Sequence, residues 1–218
     1  MDAAEYDAWY QTPRGGWVGD VEFRLLTEWL ALEKGETLLD VGCGTGYFAR
    51  RFAQECGQSV VGLDPNLAWL RFAGGHAVAG EQFVVGNGTW LPFPDRSFDR
   101  TVAVTSLCFV KEQRQFLNEM VRVTRKRFAI GLLNRASLLY WQKGRRGGSG
   151  AYRGAHWHTA AEILALLEGL PVANLVIRSG VFLPLDGWLG RWVEQALPGR
   201  WPWGSFLVVA GDRLSKKP

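Results

Sequence analysis

Cysteine is scarce in this chain: Cys43, Cys56 and Cys108 are three residues among 218. They form no CxxC pair and their number is odd, so a disulfide framework is not expected and all three read as reduced thiols. Histidine is as rare, with only His76, His156 and His158, and no metal is expected. Long apolar runs are missing too. None approaches the roughly 20 residues that span a bilayer, and Met1–Glu5 lacks the basic stretch and apolar core of a secretory leader. A cytoplasmic protein with no membrane span is the expectation. Acids are sparse between residues 111 and 153, where Glu112 and Glu119 face eleven Lys or Arg, so a local charge of +9 hides inside a net +4. That stretch reads either as a solvated helix face and loop or as a patch for an anionic partner. No RNA-binding signature such as an RRM or KH motif is visible, and nucleic acid is not expected as a partner.

What is present suits a folded domain. Hydrophobic residues make up 47% and charged residues 21% of the chain, which excludes disorder as the default. The length allows a sizeable core, and one domain is expected over residues 1–218.

One stretch organises the rest. Thr37 to Val41 is an apolar, β-branched run, and after Gly46 the spacing turns helical, with Phe48, Phe52 and Ala53 on one face. The pattern predicts a strand, a glycine turn and a helix. Gly42, Gly44 and Gly46 can take positive φ and let a ligand approach the backbone, and the helix start favours an anionic or carboxylate-bearing group. The next apolar run ends at Asp64, 18 residues after Gly46. An acid there, at the end of the second strand of a doubly wound sheet, can hold both hydroxyls of a ribose, so the ligand reads as a nucleoside.

The segments DVGCGTG (40–46) and GLDPN (62–66), followed by Val84–Asp99 with its LPFPD sequence, resemble three motifs of the class I S-adenosylmethionine-dependent methyltransferases. They are closest to the small-molecule branch called methyltransferase type 11, or UbiE-like. The resemblance covers roughly residues 36 to 133. It implies a seven-stranded, mostly parallel, Rossmann-like α/β sheet with S-adenosylmethionine as cofactor and S-adenosylhomocysteine as product. Carried over, Gly42, Cys43, Gly44 and Gly46 line the methionine and ribose parts, Asp40 accepts from the amino group, and Asp64 takes the ribose hydroxyls with Pro65 and Leu67 beside it. Asn87 stands where the family usually has Asp; its amide oxygen is expected to accept from the adenine amino group, with Gly88 and Thr89 framing the ring. Ser106 and Leu107 follow strand four, near the reacting sulfonium.

Around this window, aromatic residues 1–20 suggest a short helix broken by Pro13 and the glycines after it, with Tyr10 and Arg14 closing the methionine end as a lid. A helix from Asp20 to about Glu33 follows. Further strands are expected at Gln82–Val85, Arg100–Thr105 and Phe128–Leu133, with helices at Asn66–Ala73 and Arg114–Val123. The usual tight turn before strand five is in doubt, because Lys126 and Arg127 replace its proline and glycines. Leu175–Ile177 and Phe206–Ala210 are the edge hairpin, with an insert, Pro184–Gly204, whose four tryptophans are expected to be mostly buried. Residues 134–218 read as an acceptor-side cap and this hairpin. The acceptor pocket is expected between residues 1–20 and about 134–158, with His156 or His158 as a general base or as caps of the helix near Thr159. The acceptor reads as a small molecule, and a homo-oligomer stays open. Two rivals stand beside this reading. Gly44–Ala49 also fits the loose GxGxxA fingerprint of NAD-dependent oxidoreductases, and the fold could bind a cofactor or partner without turnover.

Overall fold

In the computed structural model, which describes residues 2–183, 188–197 and 199–214, seven strands form one sheet. They are β1 (Thr37–Val41), β2 (Ser59–Asp64), β3 (Glu81–Val85), β4 (Phe98–Val104), β5 (Thr124–Leu133), β6 (Val172–Gly180) and β7 (Phe206–Arg213). Their order is β3-β2-β1-β4-β5-β7-β6, the first five parallel and β7 antiparallel to both β5 and β6. The register sets Val41 beside Leu63 and Asp64 beside Val85. The carboxyl ends of the parallel strands thus share one edge, where ligands bind in open α/β sheets.

Alternation along the strands feeds two cores. Leu38 and Val102 join helices α2 (Pro13–Leu30) and α3 (Tyr47–Cys56) on one face, through Leu26, Leu30, Phe48 and Phe52. Leu39 and Ala103 join α5 (Gln113–Val123) and α6 (Ala160–Leu167) on the other, through Phe116, Met120, Ile163 and Leu167. Burial on both faces explains why the central strands are continuous apolar runs. Two more helices, α1 (Ala3–Trp9) and α4 (Leu67–Gly75), lie at the ligand edge, and α7 (Trp188–Ala196) precedes β7.

Several expectations need correction. Pro13 and the glycines after it do not break a helix; they begin α2, with Thr12 as N-cap and Pro13 in its first turn, where the missing N–H costs nothing. The helix ends at Leu30 through left-handed Ala31, short of Glu33. The doubt about a tight turn before strand five is upheld, because α5 passes directly into β5 at Thr124. The tryptophans of the insert are not buried: Trp188 is 79% exposed, Trp192 61%, Trp203 58% and Trp201 40%. Residues 184–187 of that insert lie outside the described residues. Thr159 with Glu162 forms the capping box of α6, so neither histidine caps it.

Candidate active site

The glycine turn follows β1 as expected. Gly42 has φ +80° and Gly44 φ +58°, and a Cβ at Gly42 would run into Ser106. Ser106 donates to the Val41 carbonyl at 2.6 Å, so the start of the 3₁₀ turn after β4 sits against the glycines. The turn amides are largely spent inside the protein. Gly42 and Cys43 both donate to the Leu63 carbonyl, Gly46 to Cys43, and Gly44 to Asp64 Oδ2 at 3.0 Å. What remains for a ligand is side-chain chemistry and the first turn of α3, which has no side-chain cap.

Asp40 is 1% exposed, and its Oδ1 is buried without a hydrogen-bond partner. The Thr45 hydroxyl of the same turn is likewise unpartnered. Burial, then the nearby Asp64 and Glu81 charges, push the Asp40 carboxyl up to about 8. A buried acceptor in this state is complementary to an ammonium group that arrives with a ligand. Asp64 is half-buried, takes N–H groups from Gly44 and Asn66, and is raised by desolvation. Its remaining lone pairs suit hydroxyl donors.

Asn87 is placed differently from expectation. Its Oδ1 accepts from both the backbone and the hydroxyl of Thr89, at 3.0 Å each. The exposed face of this side chain therefore offers an amide donor, which complements a ring nitrogen rather than an amino group. Leu67 is 48% exposed, and Pro65 is exposed beside it. Gly88 is closed off by Phe116 and Val41. Two expected contacts face away from the turn: Leu107 is fully buried in the core, and Cys43 packs its sulfur toward Gly62 and Phe83. Burial and the Asp40 and Asp64 charges push the Cys43 thiol up, which keeps it inert.

Helix α1 lies over this turn, held by residues that sequence reasoning missed. Arg50 of α3 pairs with Asp7 at 2.6 Å and donates to the Thr45 carbonyl at 2.7 Å. Tyr6 packs 5.1 Å from Trp69 of α4, whose ring covers Gly44. Tyr10, expected in the lid, is buried and stacks on Tyr47 at 3.7 Å. Arg14, half-buried on α2, lies close enough for its charge to act on Tyr152, across from it on the 134–158 segment.

Glu22 completes this side. It continues the buried stripe Gly15, Gly19, Leu26 of α2, yet it is a half-buried carboxyl with no hydrogen-bond or ion-pair partner among the described residues. Desolvation raises it to about 8. Its charge acts on Tyr6, Tyr10, Tyr47 and Tyr152, so it lies within electrostatic reach of both α1 and the 134–158 segment. An acid inside an apolar helical stripe was the signal available in the sequence.

The histidines are less suited to proton transfer. His158 is buried, with Nε2 3.2 Å from Gln113 and Nδ1 3.8 Å from Cys108 Sγ; burial and His156 lower it to about 4, so it is neutral. His156 is exposed and meets the His158 ring edge-on at 4.5 Å.

A family model described as "Methyltransferase domain" matches residues 39–128. Over its whole length the chain is 34% identical to an uncharacterized protein of Mycobacterium tuberculosis, covering 74% of that protein. Among solved structures, a SAM-dependent methyltransferase of Thermotoga maritima, described as a possible histamine N-methyltransferase, is similar with a TM-score of 0.72. The two are 22% identical over 96% of this chain and 95% of that one. A geranyl diphosphate C-methyltransferase of Streptomyces coelicolor, in complex with S-adenosyl-L-homocysteine, gives 0.66 at 19% identity, over 88% of this chain and 75% of that one. At these identities the two structures bear on the fold alone.

Proposed function

The chain belongs to the methyltransferase-domain family, and from that premise we propose that it moves a methyl group from S-adenosylmethionine to a small-molecule acceptor seated between α1, α2 and the 134–158 segment. As a member it is an enzyme with S-adenosylmethionine as cofactor and S-adenosylhomocysteine as product. The observation that carries the reading is the buried, unpartnered Asp40 oxygen beside the glycine turn, one strand away from Asp64.

The residues fit the cofactor. Asp40 would accept from its amino group and regain a counter-charge, while Asp64 would hold the ribose hydroxyls. Asn87 would donate to a nitrogen of the adenine, with Pro65, Leu67 and Thr89 around the ring. Tyr10 and Arg14 belong to the lid, Arg14 facing the methionine carboxylate. When bound, the cofactor supplies a methyl carbon activated by a sulfonium. The protein's own part is alignment of the acceptor and exclusion of water by α1.

Glu22 would face the acceptor and take its proton where the acceptor arrives protonated. As the unpartnered carboxyl within electrostatic reach of lid and cap, it suits that task better than His158, whose ring nitrogens are both engaged.

Calorimetric titration with S-adenosylmethionine, S-adenosylhomocysteine and NAD in parallel tests the reading. Micromolar binding of the two sulfur compounds and none of NAD is expected, and NAD binding alone would overturn it. A metabolite screen with labelled methyl donor then identifies the acceptor.

A further inference from the structure

The basic stretch divides into two parts. Most of its first part is spent on the fold. Arg122 pairs with Glu119 and Asp95, Arg125 with Asp99, Lys126 with Glu36, Arg127 with Asp212 and Arg135 with Glu162. Beyond Arg135 the pattern stops. Between residues 136 and 158 there is no acid at all, and the cations there are exposed with no carboxylate partner among the described residues.

This acid-free segment leaves the carboxyl end of β5 and returns at His158, whose N–H donates to the Leu133 carbonyl. The segment between β6 and β7 opens at the same edge, because Leu133, Phe206 and Gly180 share one register line. Asn134 ties the two together by donating from Nδ2 to the carbonyls of Pro202 and Gly204. Both segments are therefore anchored side by side, at the end of the sheet where the glycine turn lies.

They carry large aromatic rings into solvent. Trp188 and Trp192, one helical turn apart on α7, are 79% and 61% exposed; Trp203 is 58% and Trp141 62% exposed. Arg191 stands between the first two on the exposed face, and Arg145 lies over the Trp141 ring at 4.6 Å. Across the described residues of the β6–β7 segment the one acid, Glu194, is buried, 9% exposed, and faces inward to the Phe182 N–H. Among the described residues of both segments the exposed charge is thus positive.

We propose that these two segments form a docking surface for an anionic lipid membrane, with Trp141, Trp188, Trp192 and Trp203 entering the headgroup layer and Arg145 and Arg191 pairing with lipid phosphates. Tryptophan suits this place because its ring is apolar while its N–H is wet. Each cation near an anionic leaflet adds an attraction that falls off with salt. No helix of the described residues is long and apolar enough to cross a membrane, so attachment is peripheral. The contact turns the carboxyl edge of the sheet, and with it the cofactor turn, toward the lipid.

Co-sedimentation of the full chain with vesicles of phosphatidylcholine alone, and of phosphatidylcholine mixed with phosphatidylglycerol, tests this. Binding to the mixed vesicles that weakens with added salt is expected. The double change Trp188→Ser and Trp192→Ser should lower the partition by about tenfold with an unchanged melting temperature. Arg145→Glu with Arg191→Glu should remove the preference for the anionic vesicles. Three results overturn the proposal: a wild-type protein left in the supernatant with both vesicles, wild-type partition by the tryptophan variant, or a concentration-dependent dimer that those variants abolish. Binding of single-stranded RNA without binding of vesicles would assign the surface to nucleic acid and overturn it as well.

Discussion

At the residue scale, the proposed chemistry rests on two carboxyls that burial raises well above their usual range. Glu22 is raised to about 8 by desolvation, so near pH 7 it is mostly protonated and its carboxylate fraction grows as the pH passes 8. With an acceptor that arrives protonated, kcat should rise over that range. Glu22→Gln should flatten the profile and lower kcat by about a hundredfold, the usual contribution of a general base, while affinity for S-adenosylhomocysteine stays the same. An unaltered pH profile in the variant would remove Glu22 from the reaction. Asp40 makes the complementary case. Asp40→Asn loses a charge-assisted bond, and a weakening of about tenfold to a hundredfold in S-adenosylmethionine affinity by calorimetry is expected. Asp40, Asp64 and the glycines were legible in the sequence because motif spacing fixes them. Arg50 was not, and Glu22 showed only as an acid in an apolar stripe, because their roles depend on which helix face meets which neighbour. Asn87 shows a subtler loss: the sequence supplies an acceptor, but the Thr89 N–H and hydroxyl occupy it.

At the element scale, strands were easier to read than the leading helices. β1 and β2 begin and end where the apolar runs do, whereas α2 starts seven residues before the expected Asp20. Its glycines looked like breakers, but Gly15 lies against the Trp9 carbonyl and Gly19 against Tyr10 and Tyr47. They are absences of side chain that let α1 fold back onto α2 and α3, a packing reason invisible to a local rule. The tryptophans of the insert failed for the converse reason. Aromatic content predicts burial only where no external surface is served. Because α1 is fastened chiefly by Asp7, Arg50 and the Thr45 carbonyl, Arg50→Gln should loosen the lid. The pair is mostly buried, and removing Arg50 leaves the Asp7 carboxylate poorly compensated, a cost of roughly 3 kcal/mol. That loss should appear as faster S-adenosylhomocysteine dissociation in stopped-flow, with little change in association. Equal dissociation rates in wild type and variant would mean that α1 does not gate the cofactor.

For the whole molecule, protonation, stability and cofactor binding form one linked system. Asp40 and Glu22 hold protons in the folded chain up to about pH 8 that the unfolded chain releases near pH 4. Between those values the folded state binds more protons, so these two groups lower stability as pH rises. Asp99, Glu119 and Asp212 are lowered, Glu119 chiefly by its bond to Arg122, Asp99 and Asp212 by hydrogen bonds and ion pairs that outweigh burial. Their contribution is complete above the unfolded carboxyl range and is lost on acidification, so the ligand-free protein should be most stable in mildly acid solution. S-Adenosylhomocysteine changes one side of this balance. On the proposed placement, its ammonium beside Asp40 would favour the carboxylate, and binding near pH 7 should release a proton. Each unit by which the Asp40 pKa falls is worth about 1.4 kcal/mol, and that gain is complete only above about pH 8, where the free protein already carries the uncompensated charge; at lower pH part of it is offset by the cost of releasing the proton. The melting-temperature increase from saturating S-adenosylhomocysteine should therefore be larger at pH 8.5 than at pH 6, a comparison that differential scanning calorimetry can make directly. Asp40→Asn should shrink that difference, because the variant has no proton to release and no buried charge to compensate. Equal increases at both pH values in the wild type would mean that the cofactor's ammonium sits elsewhere, and that the buried Asp40 oxygen serves some other part of the turn.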